Sequence, residues 1–474
     1  MKKKIALLLG ALFFTTCLTS CAQSNGGSGL AAGVLPDYDA KINELSISIG
    51  GWVVPNNLTD EQFVYMQESG IDTFYFAEAP SVYSINVNAI TEQDKTVLAK
   101  MEEYGLSAIL HVGSKSNEKL LNINNVAQYS AVKGICYDEP NKSQIDEIKT
   151  CLNFFNQNVG KKTLFTNLFP FSGSSFHYNN YKRLGFLNYE DYLRYYCNEI
   201  LSNLTVGEKW LSADRYPLTF NAKGQPVLDD CWLENLEALA IVRKEYPNVK
   251  TNFFIQTMPY GGEERPAGTK GSRARTPSYE DVRLQEYTVM AFGYDRISCF
   301  CYGSPGVYSE FLEEQVAMID REGNRTQIYY DVAKANQEIK AFDHVLKQFT
   351  WEGVFTNDGG KTNERKGISW KKLFSNLKNR MSIKNVNGLK KVFSTQDTLF
   401  GYFLDFNGNS GFMVVNCNDT SLNLTDEVVL TFEKSYGYTK ALCYVGGEGK
   451  TVNIIDNTLT LNLGIGEGVF VIPY

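Results

Sequence analysis

The chain has 474 residues, a formal net charge of −7 and an apolar fraction of 43%, which together allow a large globular domain and a smaller one. The acidic balance argues against nucleic acid as a partner, because phosphate binding needs a basic surface. The three histidines, His111, His177 and His344, are too few for a His-rich metal site. The composition therefore predicts neither a metal ion nor a cofactor.

The N-terminal segment has the pattern of an export signal. Lysines at positions 2–4 precede an apolar stretch, 5–14, which is too short to span a bilayer. The following Leu18-Thr19-Ser20-Cys21 resembles the lipobox of bacterial lipoproteins. This resemblance implies cleavage before Cys21 and a lipid on that cysteine, whereas an ordinary signal peptide with an incidental cysteine is the alternative.

A Gly/Ser-rich stretch, 24–29, follows Cys21 and is typical of a flexible spacer. We therefore predict a signal peptide over residues 1–20 and a linker over 21–40. The mature protein is expected outside the cytoplasm, anchored by lipid to a bacterial membrane on its periplasmic side or at the cell surface.

Short apolar runs alternate with amphipathic helical segments from about residue 41 to residue 344, which predicts a parallel sheet. Eight such units fit a (β/α)₈ barrel, also called a TIM barrel, better than a doubly wound sheet, because no G-x-G-x-x-G turn follows the first run. We assign residues 41–382 to this barrel and a C-terminal helical extension. The eight runs are 44–53, 72–76, 107–112, 133–137, 162–168, 209–213, 251–257 and 296–302.

The pattern changes after residue 383 to short apolar runs that turn residues separate, with no helical segment between them. This predicts a small all-β sandwich over residues 383–474. Its strands are expected at 391–394, 399–406, 411–416, 427–432, 439–444, 451–455, 459–462 and 469–472.

The fourth apolar run of the barrel ends in Asp138-Glu139-Pro140. Two adjacent carboxylates at the end of a buried strand are costly unless they face a cleft or solvent. A solvated turn is one interpretation. The other is a catalytic acid at the C-terminal face of the barrel, where substrates bind in this fold.

Taken together, the signal, the barrel, the Asp-Glu-Pro sequence and the C-terminal sandwich resemble clan A glycoside hydrolases and their bacterial lipoprotein relatives. In that clan the fourth strand ends in Asn-Glu-Pro, and the Glu is the general acid/base. The resemblance implies that Glu139 is the acid. Asp138, in place of Asn, would either raise the pKa of Glu139 by like-charge repulsion or bind a sugar hydroxyl.

Glycoside hydrolysis needs a second carboxyl group, and here the sequence departs from the clan. The clan places a nucleophilic Glu at the end of strand seven, where this chain has Gln256. Three explanations compete. Asp214, at the end of the sixth run, is our first choice, although an ion pair with Arg215 is its alternative role. Glu263 or Glu264, in the loop after the seventh run, could serve instead, or hydrolysis is lost.

Further cleft candidates lie at the ends of predicted strands, where side chains reach the mouth of a barrel. Trp52 and Tyr302 are expected to stack on sugar faces. The polar candidates for substrate binding are Glu78, His111, Asp138, Asn167, Tyr216, Gln256 and Glu263.

The sequence thus predicts a lipid-anchored, extracytoplasmic glycoside hydrolase whose partner is an oligosaccharide or polysaccharide. A non-catalytic glycan-binding lipoprotein on a glycosidase-like barrel is the alternative, motivated by Gln256. A barrel enzyme unrelated to sugars is a third class, since a fold alone does not determine a function.

Overall fold

The computed structural model describes residues 34–42, 44–112, 125–171, 185–221, 223–261, 274–307, 311–359 and 372–474. Three of the candidate site residues, Cys21, Glu263 and Glu264, lie outside these ranges. Eight parallel strands close into a barrel in the order β1-β2-β3-β4-β5-β6-β9-β10. They are β1 (Ser48–Trp52), β2 (Thr73–Phe76), β3 (Ser107–His111), β4 (Val132–Asp138), β5 (Thr163–Leu168), β6 (Lys209–Asp214), β9 (Val249–Gln256) and β10 (Arg296–Phe300).

This barrel confirms the predicted fold class, because each of the eight apolar runs overlaps one of its strands. The two strands that interrupt the numbering, β7 (Leu218–Phe220) and β8 (Pro226–Leu228), form a separate antiparallel hairpin after β6. It belongs to the connection between β6 and β9 and therefore lies at the C-terminal face of the barrel.

Helices separate the barrel strands along the chain. Several begin at capping boxes, at Thr91, Asn141 and Ser278, which satisfy backbone N–H groups that have no partner within the helix. The helices are α1 (Asp60–Glu68), α2 (Glu92–Glu103), α3 (Lys142–Asn158), α4 (Tyr189–Glu199), α5 (Trp232–Glu245), α6 (Tyr279–Ala291), α7 (Gln327–Lys340), α8 (Asp343–Leu346) and α9 (Lys372–Ser375). Within the described residues, none is both long and apolar enough to cross a membrane.

Alternation along each barrel strand separates two sets of side chains. On β4, Ile135 and Tyr137 join the large core between the strands and the helices, whereas Cys136 joins a smaller cluster inside the barrel. Tyr75, Phe165 and other large side chains fill that interior. The side chains that continue the inward set beyond the strand ends therefore form the floor of the C-terminal face.

The C-terminal domain is a sandwich of a six-stranded sheet, β11-β13-β14-β19-β16-β17, and a three-stranded sheet, β12-β15-β18. Each of the eight predicted runs overlaps one of the strands β12–β19, so the predicted sandwich is confirmed. The strands are β11 (Phe349–Asn357), β12 (Leu389–Ser394), β13 (Thr398–Asp405), β14 (Ser410–Asn416), β15 (Asp426–Phe432), β16 (Lys440–Val445), β17 (Glu448–Asn453), β18 (Thr458–Leu463) and β19 (Gly468–Pro473).

Strand β11 corrects the predicted boundary at residue 383. It precedes that boundary by some thirty residues of mixed sequence, yet it pairs with β13 along its whole length. A β-bulge between Trp351 and Gly353 interrupts its alternation, which removes the periodic signal by which a strand is recognised. The sandwich therefore begins within the segment 41–382, which the sequence assigns to the barrel and its helical extension.

The two domains are joined by helix α6, which packs on β13 and β14. The fit is close: a Cβ at Gly401 would lie 2.2 Å from the carbonyl oxygen of Ala291. Arg275 adds an ion-pair bridge, to Asp281 of α6 at 2.5 Å and to Asp419 of the sandwich at 2.9 Å. The sandwich thus supports the barrel from the side, and none of its described residues lines the cavity described below.

Candidate active site

A cavity of about 240 Å³ opens at the C-terminal face of the barrel. Most of its lining side chains come from the ends of the barrel strands or from the residues directly after them, whereas Pro305 and Phe311 lie farther along the chain after β10. Polar members are Glu78, His111, Asp138, Glu139, Asn167, Asp214 and Tyr216, and the others are Trp52, Val53, Ala77, Ala79, Phe254, Phe300, Cys301, Pro305 and Phe311. The structure therefore brings together eight of the predicted site residues in one place.

The end of β4 presents two consecutive carboxyl groups to this cavity. Asp138 continues the inward set of Cys136 and lies opposite Asn167 of β5. Regular alternation would send the next side chain outward. Glu139 instead has a positive φ of 41°, an unfavourable conformation for a residue with a Cβ, and its N–H donates to the carbonyl oxygen of Asn167 at 2.8 Å. This turn lets both carboxyl groups line the cavity.

Asn167 connects the carboxyl groups of two non-adjacent strands. Its Nδ2 lies 3.0 Å from Oδ1 of Asp214, at the end of β6, and 3.4 Å from Oδ1 of Asp138. Because one nitrogen contacts both oxygens, the two oxygens are no farther apart than the sum of these distances. The amide therefore holds the ends of β4 and β6 in a compact acidic cluster.

The electrostatic environment of Asp214 combines burial with nearby hydrogen-bond donors and a nearby positive charge. Burial raises its pKa, while hydrogen bonds from Asn167 and Tyr216 and the charge of Arg215 oppose that rise. The alternative role considered for Asp214, an ion pair with Arg215, is not its arrangement in the structure. Arg215 instead forms a two-point ion pair with Asp229, at 3.0 Å and 2.6 Å.

Aromatic side chains form the apolar part of the wall. Trp52 meets Phe254 and His111 edge-on, with ring centroids 5.5 Å and 5.8 Å apart. Tyr216 stacks on Phe300 at 4.8 Å. Such a wall suits the flat apolar faces of sugar rings. Glu78 is exposed at the rim, where it can reach a bound molecule without the cost of burial.

Gln256 and Tyr302 do not line the cavity, contrary to their predicted positions. Gln256 is fully buried, and its amide is engaged by the main chain: its oxygen accepts from the N–H of Leu218, and its nitrogen donates to the carbonyl oxygens of Met258 and Arg275. Tyr302 lies beyond the end of β10, packed edge-on against Phe74 in the core outside the barrel.

Eight lining residues were not anticipated, and three of them are aromatic: Phe254, Phe300 and Phe311. An apolar residue at a strand end carries no signal that distinguishes a cavity wall from a core. Phe254 could have been found from alternation, since it follows Asn252 by two residues on β9. Cys299 and Cys301 are two residues apart but do not share a face: β10 ends at Phe300, Cys299 packs outside the barrel and Cys301 lines the cavity.

In the described part of the chain, one group of potential metal ligands lies close together: Asp229, Asp230 and Cys231. These residues do not line the cavity. The carboxylate of Asp229 is already engaged by Arg215. All eight cysteines of the described residues are buried free thiols. The most numerous ionisable groups of the cavity lining are the carboxyl groups of Glu78, Asp138, Glu139 and Asp214, which lie beside His111, Tyr216 and Cys301.

No family model matches the chain, and no curated protein is detectably similar to it in sequence. Its structure, however, resembles solved glycoside hydrolases. One is a glycoside hydrolase family 5 protein from Bacteroides vulgatus ATCC 8482, with 11% identity, a TM-score of 0.50 and coverage of 90% of this chain and 89% of that one. Another, described as a glycoside hydrolase, has 10% identity, a TM-score of 0.50 and coverage of 90% and 92%.

The protein shares its fold with these solved structures. The similarity extends over both the barrel and the sandwich, as the coverage shows, and it confirms the predicted resemblance in architecture. At these identities the likeness concerns the fold alone, so the reaction has to be argued from the cavity.

Proposed function

We propose that the protein is a glycoside hydrolase in which Glu139 and Asp214 are the two catalytic carboxyl groups. The observation that carries this proposal is their presence in one cavity at the C-terminal face of the barrel, on the ends of strands β4 and β6. Glycoside hydrolysis needs such a pair on either side of the scissile bond.

Glu139 is assigned as the acid that protonates the leaving oxygen. Asp214 is assigned as the ionised partner, which attacks the anomeric carbon or activates a water molecule. The assignment rests on the donors around Asp214, since Asn167 and Tyr216 both hydrogen-bond to it and such donors stabilise a carboxylate. Asp138 shares the Asn167 amide and is placed to bind a sugar hydroxyl.

The lining also indicates the class of glycan. Glu78, Asp138, Glu139 and Asp214 lie around the cavity, and the described lining residues include no Lys or Arg. A uronic acid or sulfated sugar would be repelled by this arrangement. The substrate is therefore proposed to be a neutral oligosaccharide or polysaccharide, or one that carries amino groups.

The test is release of reducing sugar from a panel of neutral, amino-bearing and uronic acid-containing glycans, with Glu139→Gln and Asp214→Asn as paired variants. The expected result is turnover of members of the first two classes by the wild type and its loss in both variants. Anomeric products followed by NMR then give the stereochemistry, which tracks carboxyl separation: about 5–5.5 Å for retention and about 6.5–9.5 Å for inversion.

Glycan binding without turnover would support the alternative, a non-catalytic binding protein. That alternative was motivated by Gln256, and its weight is reduced by the position of Asp214, which supplies a carboxyl group from another strand. If Asp214→Asn binds every glycan that the wild type hydrolyses but releases no product, the result would instead support catalysis by the wild type.

We also propose that the protein is exported and anchored by lipid at Cys21. The support is the basic start, the apolar stretch, the sequence Leu18–Cys21 and the Gly/Ser-rich spacer. Metabolic labelling with a fatty acid is expected to mark the wild type and not Cys21→Ser. Equal labelling of the two would contradict the assignment.

A further inference from the structure

The interior of the barrel contains a continuous chain of buried polar side chains below the cavity. It links five strands by hydrogen bonds and ends at the acidic cluster. At the bottom, Arg296 Nη1 lies 3.2 Å from Tyr75 OH, which lies 3.4 Å from Ser298 Oγ. In the middle, Ser298 Oγ lies 2.7 Å from Asn252 Oδ1, and Asn252 Nδ2 lies 2.9 Å from Ser212 Oγ. At the top, Ser212 Oγ lies 3.0 Å from Asn167 Oδ1, and Asn167 Nδ2 lies 3.0 Å from Asp214 Oδ1.

Every member of this chain below the acidic cluster is buried: Arg296 is 7% exposed, Asn167 5%, and Tyr75, Ser212, Asn252 and Ser298 are 0% exposed. Barrel interiors are usually filled by apolar side chains, and buried polar groups are costly unless each finds a partner. A structure that needed only a packed interior would not require this series. Its members therefore call for an explanation beyond packing.

The two ends determine the direction of every hydrogen bond. A guanidinium can only donate, so the Tyr75 oxygen accepts from Arg296 and its hydrogen is left for Ser298. The hydroxyl of Ser298 in turn donates to Asn252 Oδ1. Each later member likewise accepts from the residue below it and donates to the residue above it. At the upper end an ionised carboxylate can only accept.

The orientation of the amides follows from the same argument. If Asn167 were turned over, its oxygen would face the carboxyl oxygens of Asp138 and Asp214, which repel it. Ser212 has a single hydrogen, and in the observed arrangement that hydrogen is given to Asn167 Oδ1. The nitrogen of Asn167 is thereby left to face the two carboxyl groups.

A glycine on β1 makes room for the chain. A Cβ at Gly50 would lie 2.3 Å from Ser298 Oγ and 2.9 Å from Tyr75 Cε2, closer than real Cβ contacts allow. Gly50 has an ordinary backbone conformation, because it is absent from the residues with positive φ. Its lack of a side chain therefore leaves the space that Tyr75 and Ser298 occupy when they form their hydrogen bond.

We propose that this chain, from Arg296 through Tyr75, Ser298, Asn252 and Ser212, is a positioning relay that holds the Asn167 amide toward Asp138 and Asp214. Its members touch neither substrate nor reacting atoms and act through Asn167. The consequence for catalysis rests on the proposed function, whereas the relay itself does not. All links donate toward the carboxyl groups, so each polarises the next and strengthens the final one.

Other groups also act on Asp214, and the relay is one influence among them. Arg215 and Tyr216 follow it directly, Asp138 and Glu139 face it from β4, and Tyr189 approaches from α4, with His111 and Glu78 on the cavity wall. A test of the relay must therefore leave all of these in place.

Ser212→Ala and Tyr75→Phe meet this requirement, since each removes one hydroxyl and keeps the remaining side chain. Ser69→Ala is the matched control, because Ser69 is equally buried and makes two hydrogen bonds in the turn after α1, away from the relay. The readout is infrared difference titration of the Asp214 carboxyl band, which is identified by its absence in Asp214→Asn.

The expected result is a rise of about one pH unit in the titration midpoint of Asp214 in Ser212→Ala, since a donor to the charged form is lost or misdirected. Tyr75→Phe is expected to produce a smaller rise in the same direction, and Ser69→Ala none. An unchanged midpoint in folded Ser212→Ala and Tyr75→Phe, or an equal change in Ser69→Ala, would overturn the proposal.

The infrared readout separates this proposal from the proposed function, because it needs no turnover. If the wild type hydrolyses glycans, the acidic limb of kcat/KM is expected to move with the titration midpoint in Ser212→Ala. A shifted midpoint in a protein that turns over no glycan supports the relay and contradicts the hydrolase. Hydrolysis by the wild type, together with an unshifted midpoint in Ser212→Ala and Tyr75→Phe, supports the hydrolase and contradicts the relay.

Discussion

The ends of β4 and β9 differ in what they present to the cavity, although both carry polar residues. At the end of β4, Asp138 and Glu139 line the cavity side by side. At the end of β9, Phe254 lines it, while the amide of Gln256 is engaged by main-chain groups of the neighbouring loops. A polar residue at the end of a barrel strand is thus available for chemistry only where the surrounding main chain does not already use it.

The largest effect that this comparison predicts is on activity. Glu139→Gln and Asp214→Asn are each expected to lower kcat/KM by about 1,000-fold on a natural glycan, since acid and second-carboxyl functions contribute on this scale. The two should separate on an aryl glycoside whose leaving group needs no protonation. There Glu139→Gln is expected to recover activity and Asp214→Asn is not. If only Asp214→Asn recovers activity on the aryl glycoside, Asp214 would be the acid and Glu139 the second carboxyl group.

The second effect is on stability, at the end of β9. Gln256→Leu leaves the N–H of Leu218 and the carbonyl oxygen of Arg275 without their partner, so we expect a loss of about 2–3 kcal/mol in the free energy of unfolding. Catalysis per folded molecule should change little. Urea denaturation and active-site titration measure the two quantities, and Gln337→Leu, at an exposed position of α7, is the control.

A fall in activity of Gln256→Leu as large as that of Asp214→Asn, without a loss of stability, would contradict the assigned role of Gln256. It would show that the end of β9 acts on the substrate after all.

The smallest effect concerns pH and lies away from both strand ends, where the barrel meets the sandwich. Burial, with a smaller contribution from Glu467, raises the pKa of Glu338 on α7 to about 7. Because the folded-state pKa lies above the ordinary value, this group stabilises the fold at low pH, and its contribution is lost as the pH rises from about 4.5 through 7.

Glu338→Gln should therefore flatten the fall in unfolding free energy between pH 5 and pH 8 by about 1–2 kcal/mol. The exposed Glu433→Gln serves as its control, and urea denaturation at both pH values provides the measurement. The trend is opposite to that expected for activity, which requires ionised Asp214 and should increase as the pH leaves the acidic range. Parallel stability curves for wild type and Glu338→Gln would exclude this role for Glu338.

Much of the fold could be predicted from the sequence because each strand carries its own local signal. The runs that became β1 and β4, for example, are apolar and bounded by turn residues, and the helices between them begin at recognisable caps. Strand β11 was missed because its bulge at Trp351–Gly353 breaks the alternation. Part of the site was equally local: Asp138, Glu139 and Asp214 are carboxyl groups directly at strand ends.

The rest depended on contacts between residues that are distant in sequence. Gln256 and Tyr302 stand at strand ends just as Asn167 does, and nothing local distinguishes them. Ser212, Asn252 and Ser298 each lie in an otherwise apolar strand. Their connection becomes visible only because closure of the barrel brings them within hydrogen-bonding distance of one another.

The sequence by itself determined the order of the elements and the presence of carboxyl groups at strand ends, because periodicity and the residue types at strand ends are properties of short segments. Only the tertiary structure decided which of those side chains reach a common cavity. The physical reason is that strand register and local turns, such as the one at Glu139, determine where a side chain points. Whether its polar atoms are free for a substrate depends on whether neighbouring main-chain groups hydrogen-bond to them. Both are determined when the barrel closes.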